Sequence, residues 1–165
     1  MEKKKWDPLY EQMCHISEEC QSLKEKLLDL VDDDTDAFQH VLYAYRLPNS
    51  TKEQELVRNE KIDIAMKKAV IIPFKILQCC HKVMKYTKKA VNCGNQNSIT
   101  DAGVGAEMAN AGALGAALNI KINLNEVDDI QYCKKMQKET DRLIKETGDE
   151  LLVIRKIVFN KLRLE

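Results

Sequence analysis

From Leu9 to Ala44 the chain repeats one spacing without a break. Leu9, Met13, Ile16, Cys20, Leu23, Leu27, Leu30, Asp34, Ala37, Val41 and Ala44 lie alternately four and three residues apart. That period lines up on one face of a helix, and no strand can present it as a single face. It predicts a long helix from Pro8 to Tyr45 whose seam is buried in a bundle. Pro8 suits the first turn, where a missing N–H is no loss, and Leu47-Pro48-Asn49 marks the end.

The remaining sequence also reads as helix. Ser50 with Glu53 predicts a capping box opening a second helix. Its apolar positions are Leu56, Ala69, Val70, Ile76, Leu77, Cys80, Val83 and Met84. Pro73 is expected to kink or divide it, and Cys93-Gly94-Asn95 to end it. From Ser98 to Asn119 the chain is mostly Gly and Ala between Ala102 and Ala117. Such a segment is weak as an isolated helix, but packed it lets a backbone or a flat ligand approach closely. Ser98 with Asp101 predicts a capped start. Beyond Asn119-Ile120-Lys121-Ile122-Asn123-Leu124 a last helix follows, with Ile130, Cys133, Leu143, Leu151, Ile154, Ile157 and Leu162 as its buried stripe. Residues 1–165 are thus expected to form one all-α domain, a bundle of about four long helices. The Gly/Ala helix or the first helix should form the interface of a homodimer.

Charge and cysteine usage exclude several classes of function. Lys plus Arg and Asp plus Glu both number 26. A nucleic-acid binder needs surplus cations to displace counterions, so no nucleic-acid partner is expected. No run approaches the roughly 20 apolar residues that span a bilayer. Met1 to Tyr10 has no apolar stretch behind its lysines, so no signal peptide and no membrane association are expected, and the location should be cytoplasmic. Cys14, Cys20, Cys79, Cys80, Cys93 and Cys133 show no CxxC and no matching Cys/His spacing. They read as reduced thiols, mostly small core residues, with no metal site. His15, His40 and His81 read as surface or boundary residues.

Asp34 is the residue that the seam does not explain. It stands between Leu30 and Ala37, where the register calls for an apolar side chain. A carboxylate taken from water needs a partner, a ligand or a raised pKa. Either the run Asp32-Asp33-Asp34-Thr35-Asp36 is a solvated face, or Asp34 pairs with a cation of another helix, or it serves acid/base chemistry or a cationic substrate. Asn95, Asn97 and Asp101 cluster before the Gly/Ala helix, where free N–H groups and carboxamides could read a heterocycle or simply cap a loop. Arg46, Arg58 and the run Lys3-Lys4-Lys5 could hold carboxylates.

Several strings together resemble one family. They are Val31-Asp32-Asp33-Asp34-Thr35-Asp36-Ala37-Phe38, Tyr45-Arg46-Leu47-Pro48, Arg58, Ala69 to Pro73, Gly94-Asn95-Gln96-Asn97-Ser98-Ile99-Thr100-Asp101-Ala102-Gly103-Val104, and Asn119 to Leu124. The family is the formiminotransferase-cyclodeaminase C-terminal domain with its stand-alone relatives, the methenyltetrahydrofolate cyclohydrolases. The likeness runs over nearly the whole chain, in order. It implies an all-helical homodimer with a folate site at or near the subunit interface. Members convert 5-formimino-tetrahydrofolate to the 5,10-methenyl form with loss of ammonia, or hydrolyse the methenyl form to 10-formyl-tetrahydrofolate.

The family's essential aspartate, the second Asp of a V-D-x-D-x-x-A-F motif, falls on Asp34. Its Gly-Asn and Ser-Asp pairs fall on Gly94-Asn95 and Thr100-Asp101, where threonine keeps the hydroxyl. The resemblance implies Asp34 as catalytic, Lys5, Arg58, Asn95 and Asp101 as substrate-binding, and no metal or cofactor beyond the tetrahydrofolate substrate. Family members open with a P-G-G-G-S segment and an Ala-rich helix. Met1 to Trp6 resembles the stretch after that helix, so the chain is expected to lack the glycine-rich segment. Two functions follow as expectations: a folate enzyme with Asp34 as acid/base, or a non-catalytic helical dimer or partner subunit derived from it.

Overall fold

The computed structural model describes residues 8–163. Among these the chain forms four long helices: α1 (Pro8–Tyr45), α2 (Lys52–Cys93), α3 (Ile99–Leu124) and α4 (Ile130–Leu162), with a 3-10 turn, Gln96–Ser98, ahead of α3. α1 has the predicted bounds. The residues it buries are Ile16, Leu23, Leu30, Ala37 and Ala44, one per heptad of the seam. Members of the other half of the seam, from Met13 to Val41 and including Asp34, are half-buried.

α2 is the spine of the bundle. Its Ile72 and Cys79 meet Leu23, Leu30 and Ala37 of α1. Its opposite face packs Met66, Val70, Leu77 and Cys80 against Ala113, Ala116 and Ile120 of α3 and Met136 and Leu143 of α4. Farther along, Met84 and Val91 join Ala106 and Ala109 of α3 and Leu151, Ile154 and Val158 of α4. The small residues of α3 let α2 and α4 approach closely. An added Cβ at Gly103 would stand 3.4 Å from Val158, and one at Gly112 would stand 3.1 Å from the Cys80 sulfur.

Local details depart from the sequence reading in instructive ways. The N-cap of α2 is Thr51, not Ser50. Its hydroxyl accepts from the Gln54 N–H at 3.3 Å, and Gln54 Oε1 accepts from the N–H groups of Ser50 and Thr51. The Ser/Thr-x-x-Glu/Gln pattern occurs in two adjacent registers, and the second one closes. Leu56 is exposed, because the packed part of α2 begins only at Ala65. Pro73 is buried inside α2 without dividing it. Gly94 caps the helix end and donates to the Ala90 carbonyl at 2.7 Å; a Cβ there would collide with that same oxygen.

α3 runs to Leu124 rather than Asn119, so the Asn119–Leu124 string is its last turns. Ser98 occupies the N-cap position, but its side chain makes no capping bond. Asn95 takes that part, accepting from the Asn97 N–H at 3.0 Å. Ile130 and Leu162 are exposed at the two ends of α4, beyond the reach of neighbouring helices. His81 is buried between α2 and α4, against the surface or boundary placement expected for it, with Nδ1 3.1 Å from the Thr147 hydroxyl. Among the described residues no helix is long and apolar enough to cross a membrane.

Candidate functional site

Three helices enclose a cleft of about 290 Å³ around Asp34. α1 supplies Asp34, Ala37, Phe38 and Val41, α2 supplies Met66 and Ala69, and α3 supplies Asn119 and Asn123. The seam positions Asp34: Leu30 and Ala37, one turn either side, are buried against α2, so the residue between them must face inward. The Asp34 carboxylate is half-buried and has no hydrogen-bond or ion-pair partner among the described residues. Asp32, Asp33 and Asp36 are exposed, so the rest of the acidic run is a solvated face. Phe38, one turn on, leaves its ring 59% exposed at the rim.

A polar contact joins the α2 and α3 walls. Pro73 has no N–H, so the carbonyl of Ala69, four residues earlier, loses its helical donor. Asn123 Nδ2 donates to that oxygen at 2.8 Å. Asn119, one turn earlier on α3, is exposed and has no partner among the described residues. Neither asparagine is named by propensity or periodicity. The signal available was a pair of carboxamides four apart at the end of a Gly/Ala helix, together with a proline inside the helix facing it.

The other residues expected at the site lie elsewhere in the chain. Arg58 donates to the Tyr45 carbonyl from Nε at 3.4 Å and Nη2 at 3.2 Å, and its guanidinium lies 5.7 Å from the Tyr45 ring centre. It thereby caps the C-terminus of α1, about 16 Å along that helix from Asp34. Asn95 and Asp101 are exposed near the start of α3. Asp101 and Asn119 are eighteen residues apart, five turns, so they share a face but stand about 27 Å apart. Within one chain the cleft contains Asp34 but not Arg58, Asn95 or Asp101. Lys5 lies outside the described residues.

No group of three His, Cys, Asp or Glu among the described residues is arranged to hold a metal ion. A second apolar groove, of about 250 Å³, runs between α3 and α4 and is lined by Gly103, Val104, Ile154 and Val158. The Arg155–Glu107 ion pair lines it too, and the guanidinium holds the Glu107 carboxyl below the usual carboxylate range.

The fold and the cleft define, over the described residues, a helical protein with a half-buried carboxylate held between three helices and unpaired among those residues. The chain belongs to the formiminotransferase-cyclodeaminase family, whose model matches residues 1–142. It is 34% identical over 146 residues to a methenyltetrahydrofolate cyclohydrolase of Methylorubrum extorquens, covering 88% of this chain and 70% of that protein. It is 25% identical over 152 residues to the formimidoyltransferase-cyclodeaminase of Rattus norvegicus, covering 92% of this chain but only 28% of the rat protein. The solved formiminotetrahydrofolate cyclodeaminase from Thermotoga maritima superposes with a TM-score of 0.74 at 23% identity, over 98% of this chain and 75% of that one. That likeness establishes the shared helical architecture.

Proposed function

We propose that this chain interconverts one-carbon forms of tetrahydrofolate, as a 5,10-methenyl cyclohydrolase or a 5-formimino cyclodeaminase, with Asp34 as the acid/base. The observation that carries the reading is the inward Asp34 carboxylate, without a partner among the described residues, in a cleft lined otherwise by apolar and carboxamide groups. The similarity to proteins of those two activities supports it. In the hydrolytic direction the carboxylate faces the cationic methenyl bridge and takes a proton from the attacking water. The tetrahedral centre then collapses: the bond from carbon to N5 breaks with the proton returned to N5, the hydroxyl proton is released to solvent as the C=O forms, and the formyl group stays on N10. In the deaminating direction N10 adds to the formimino carbon and its proton passes to the imine nitrogen; Asp34 then protonates that nitrogen, the carbon–nitrogen bond breaks, and ammonia leaves with the methenyl cation formed. The exposed Phe38 ring offers a stacking surface at the rim.

The protein works as a homodimer through α3. The outward face of that helix carries Val104, Met108, Ala111, Gly115, Leu118 and Ile122, a stripe without a charge, opposite the face already buried in the bundle. A helix that is apolar on both sides needs a second cover. A second copy related by a two-fold axis near Asn110 runs its α3 antiparallel, with small residues at the crossing. Such a pairing brings Asp101 of one copy level with Asn119 of the other, on the same side. This is how Asp101 and Asn95 reach a cleft that one chain leaves about 27 Å away. Lys5 and Arg58 are assigned to the carboxylate end of the substrate.

The test is direct. The full chain is assayed with 5,10-methenyl- and 5-formimino-tetrahydrofolate, following the methenyl chromophore, and Asp34→Asn is run alongside. Turnover of one substrate, lost in Asp34→Asn, is the expected result. Absence of both turnover and folate binding by calorimetry would leave a non-catalytic helical dimer.

A further inference from the structure

We infer that Asn119 is a substrate-binding residue of the Asp34 cleft, its carboxamide reading the amide edge of a reduced pteridine, while Asn123 fixes the wall that carries it. The inference rests on the tetrahydrofolate reading above.

Asn119 and Asn123 are one turn apart on α3 and line the same cleft. Residues four apart on a helix are surface neighbours, so both carboxamides serve one small volume. Their situations differ. Asn123 is committed to the Ala69 carbonyl that Pro73 leaves without a donor. Asn119 is exposed and engages no described residue. Asparagine is a poorer helix former than the alanines and leucine around it, and no cap or internal bond offsets that cost at position 119.

The chemistry of the group matches what the cleft lacks. A carboxamide presents one acceptor beside two donors, the complement of a cyclic amide next to an amino group. It is neutral, so it can orient a ring without pairing with Asp34, as a lysine or arginine at this position would. The hydroxyl, guanidinium and ammonium groups of the described residues lie outside the cleft, which leaves Asn119 as its available neutral reader. The clasp from Asn123 to Ala69 ties α3 to α2 one turn away, which limits how far Asn119 can drift from Asp34.

The experiment compares Asn119→Ala, Asn119→Gln, Asn123→Ala and Asp34→Asn in steady-state assays of the full chain, with thermal melts. Asn119→Ala should raise KM for the tetrahydrofolate substrate about 10-fold and change kcat less than about 3-fold, with an unaltered melt. Asn119→Gln should recover part of the lost affinity. Asp34→Asn should show the opposite split, with kcat falling and KM held. A wild-type KM in Asn119→Ala would overturn the inference and leave the assigned reaction standing. So would a KM change matched by a drop in melting temperature like that of Asn123→Ala. If the unaltered chain neither turns over nor binds either substrate, the inference falls together with the reaction.

Discussion

The Asn123 side-chain amide donates to the Ala69 carbonyl at 2.8 Å, and this is the carbonyl that Pro73 deprives of its helical partner. A proline in the middle of a 42-residue helix normally leaves an unserved oxygen and a kink. Here a residue from the next helix fills the gap, and the repair doubles as a tie between α2 and α3. Removing it should therefore cost more than one surface hydrogen bond. Asn123→Ala is expected to destabilise by about 1–2 kcal/mol, the range for a buried acceptor left unserved. In a Pro73→Ala background, position 73 again donates to Ala69, and Asn123→Ala should cost much less. A double-mutant cycle by urea denaturation reads the coupling directly. Additive losses would mean that the two residues act independently.

For Asp34, the neutral amide of Asp34→Asn keeps the size of the side chain and removes its proton. Turnover should fall by about 10²-fold or more. The melt should hold, because a partly buried charge is replaced by a neutral group. Asp32→Asn and Asp36→Asn lie on the solvated side of α1 and should keep near-normal turnover. Equal losses in all three variants would assign the effect to the acidic run as a whole.

The outward stripe of α3 predicts an oligomer that charge will break. Leu118 is 70% exposed in the single chain, and Leu118→Glu buries a carboxylate if that face is an interface. Light scattering at about 10 μM, roughly seven kcal/mol of association, should give a dimer mass for the native chain and a monomer mass for the variant. A monomer for both would remove the route by which Asp101 reaches the cleft.

His81 makes stability depend on pH. Burial pushes its pKa below the ordinary histidine value, Lys85 and Arg142 act in the same direction, and Glu146 and Glu150 oppose them. Protonation is thus harder in the folded than in the unfolded chain. The contribution is present above the unfolded pKa of about 6.5 and is lost as pH falls from there toward the lower folded value. The slope cannot exceed about 1.4 kcal/mol per pH unit for one proton. Melts from pH 8 down to pH 5 should show the loss, and His81→Gln should flatten it. An unchanged profile in the variant would place the titration elsewhere.

Burial sorts the six thiols. It pushes Cys80 up to about 11 and raises Cys20, and Cys79 is buried as well, whereas Cys93 is exposed at the end of α2. Thiolate is the reactive form, so alkylation of native protein near pH 8 should mark Cys93 first and Cys80 last. Peptide mass spectrometry over a time course gives the order.

Much of this architecture was legible because α1 obeys a single period, and its five buried residues are the seam's strictest heptad members. Asp34 was legible for the same reason, as the polar exception in an apolar register. What escaped depends on partners from other helices. The Gly/Ala helix was expected to reach only Asn119, whereas it runs on to Leu124 and places Asn123 against Ala69. Arg58 also closes the end of α1 at Tyr45, a partner that no local pattern names. His81 carried no local mark of burial, because its cover comes from Thr147 on α4, sixty-six residues later. Local patterns name elements and exceptions; only the packed structure shows which exception answers which.

α1 rests along α2 and touches the rest of the bundle little, while α2, α3 and α4 interlock through two shared clusters. The chain is thus a three-helix block with one detachable leaf, and Asp34 rides on the leaf while Asn119 and Asn123 belong to the block. Amide protons of α1 should exchange through a partial opening that leaves α2 intact, at a lower free energy than global unfolding. A ligand gripped between leaf and block adds its own binding free energy to that hinge, about 2.7 kcal/mol at a hundred times its Kd. Occupancy of the cleft would then be recorded twice, as slowed exchange along α1 and as a rise in melting temperature.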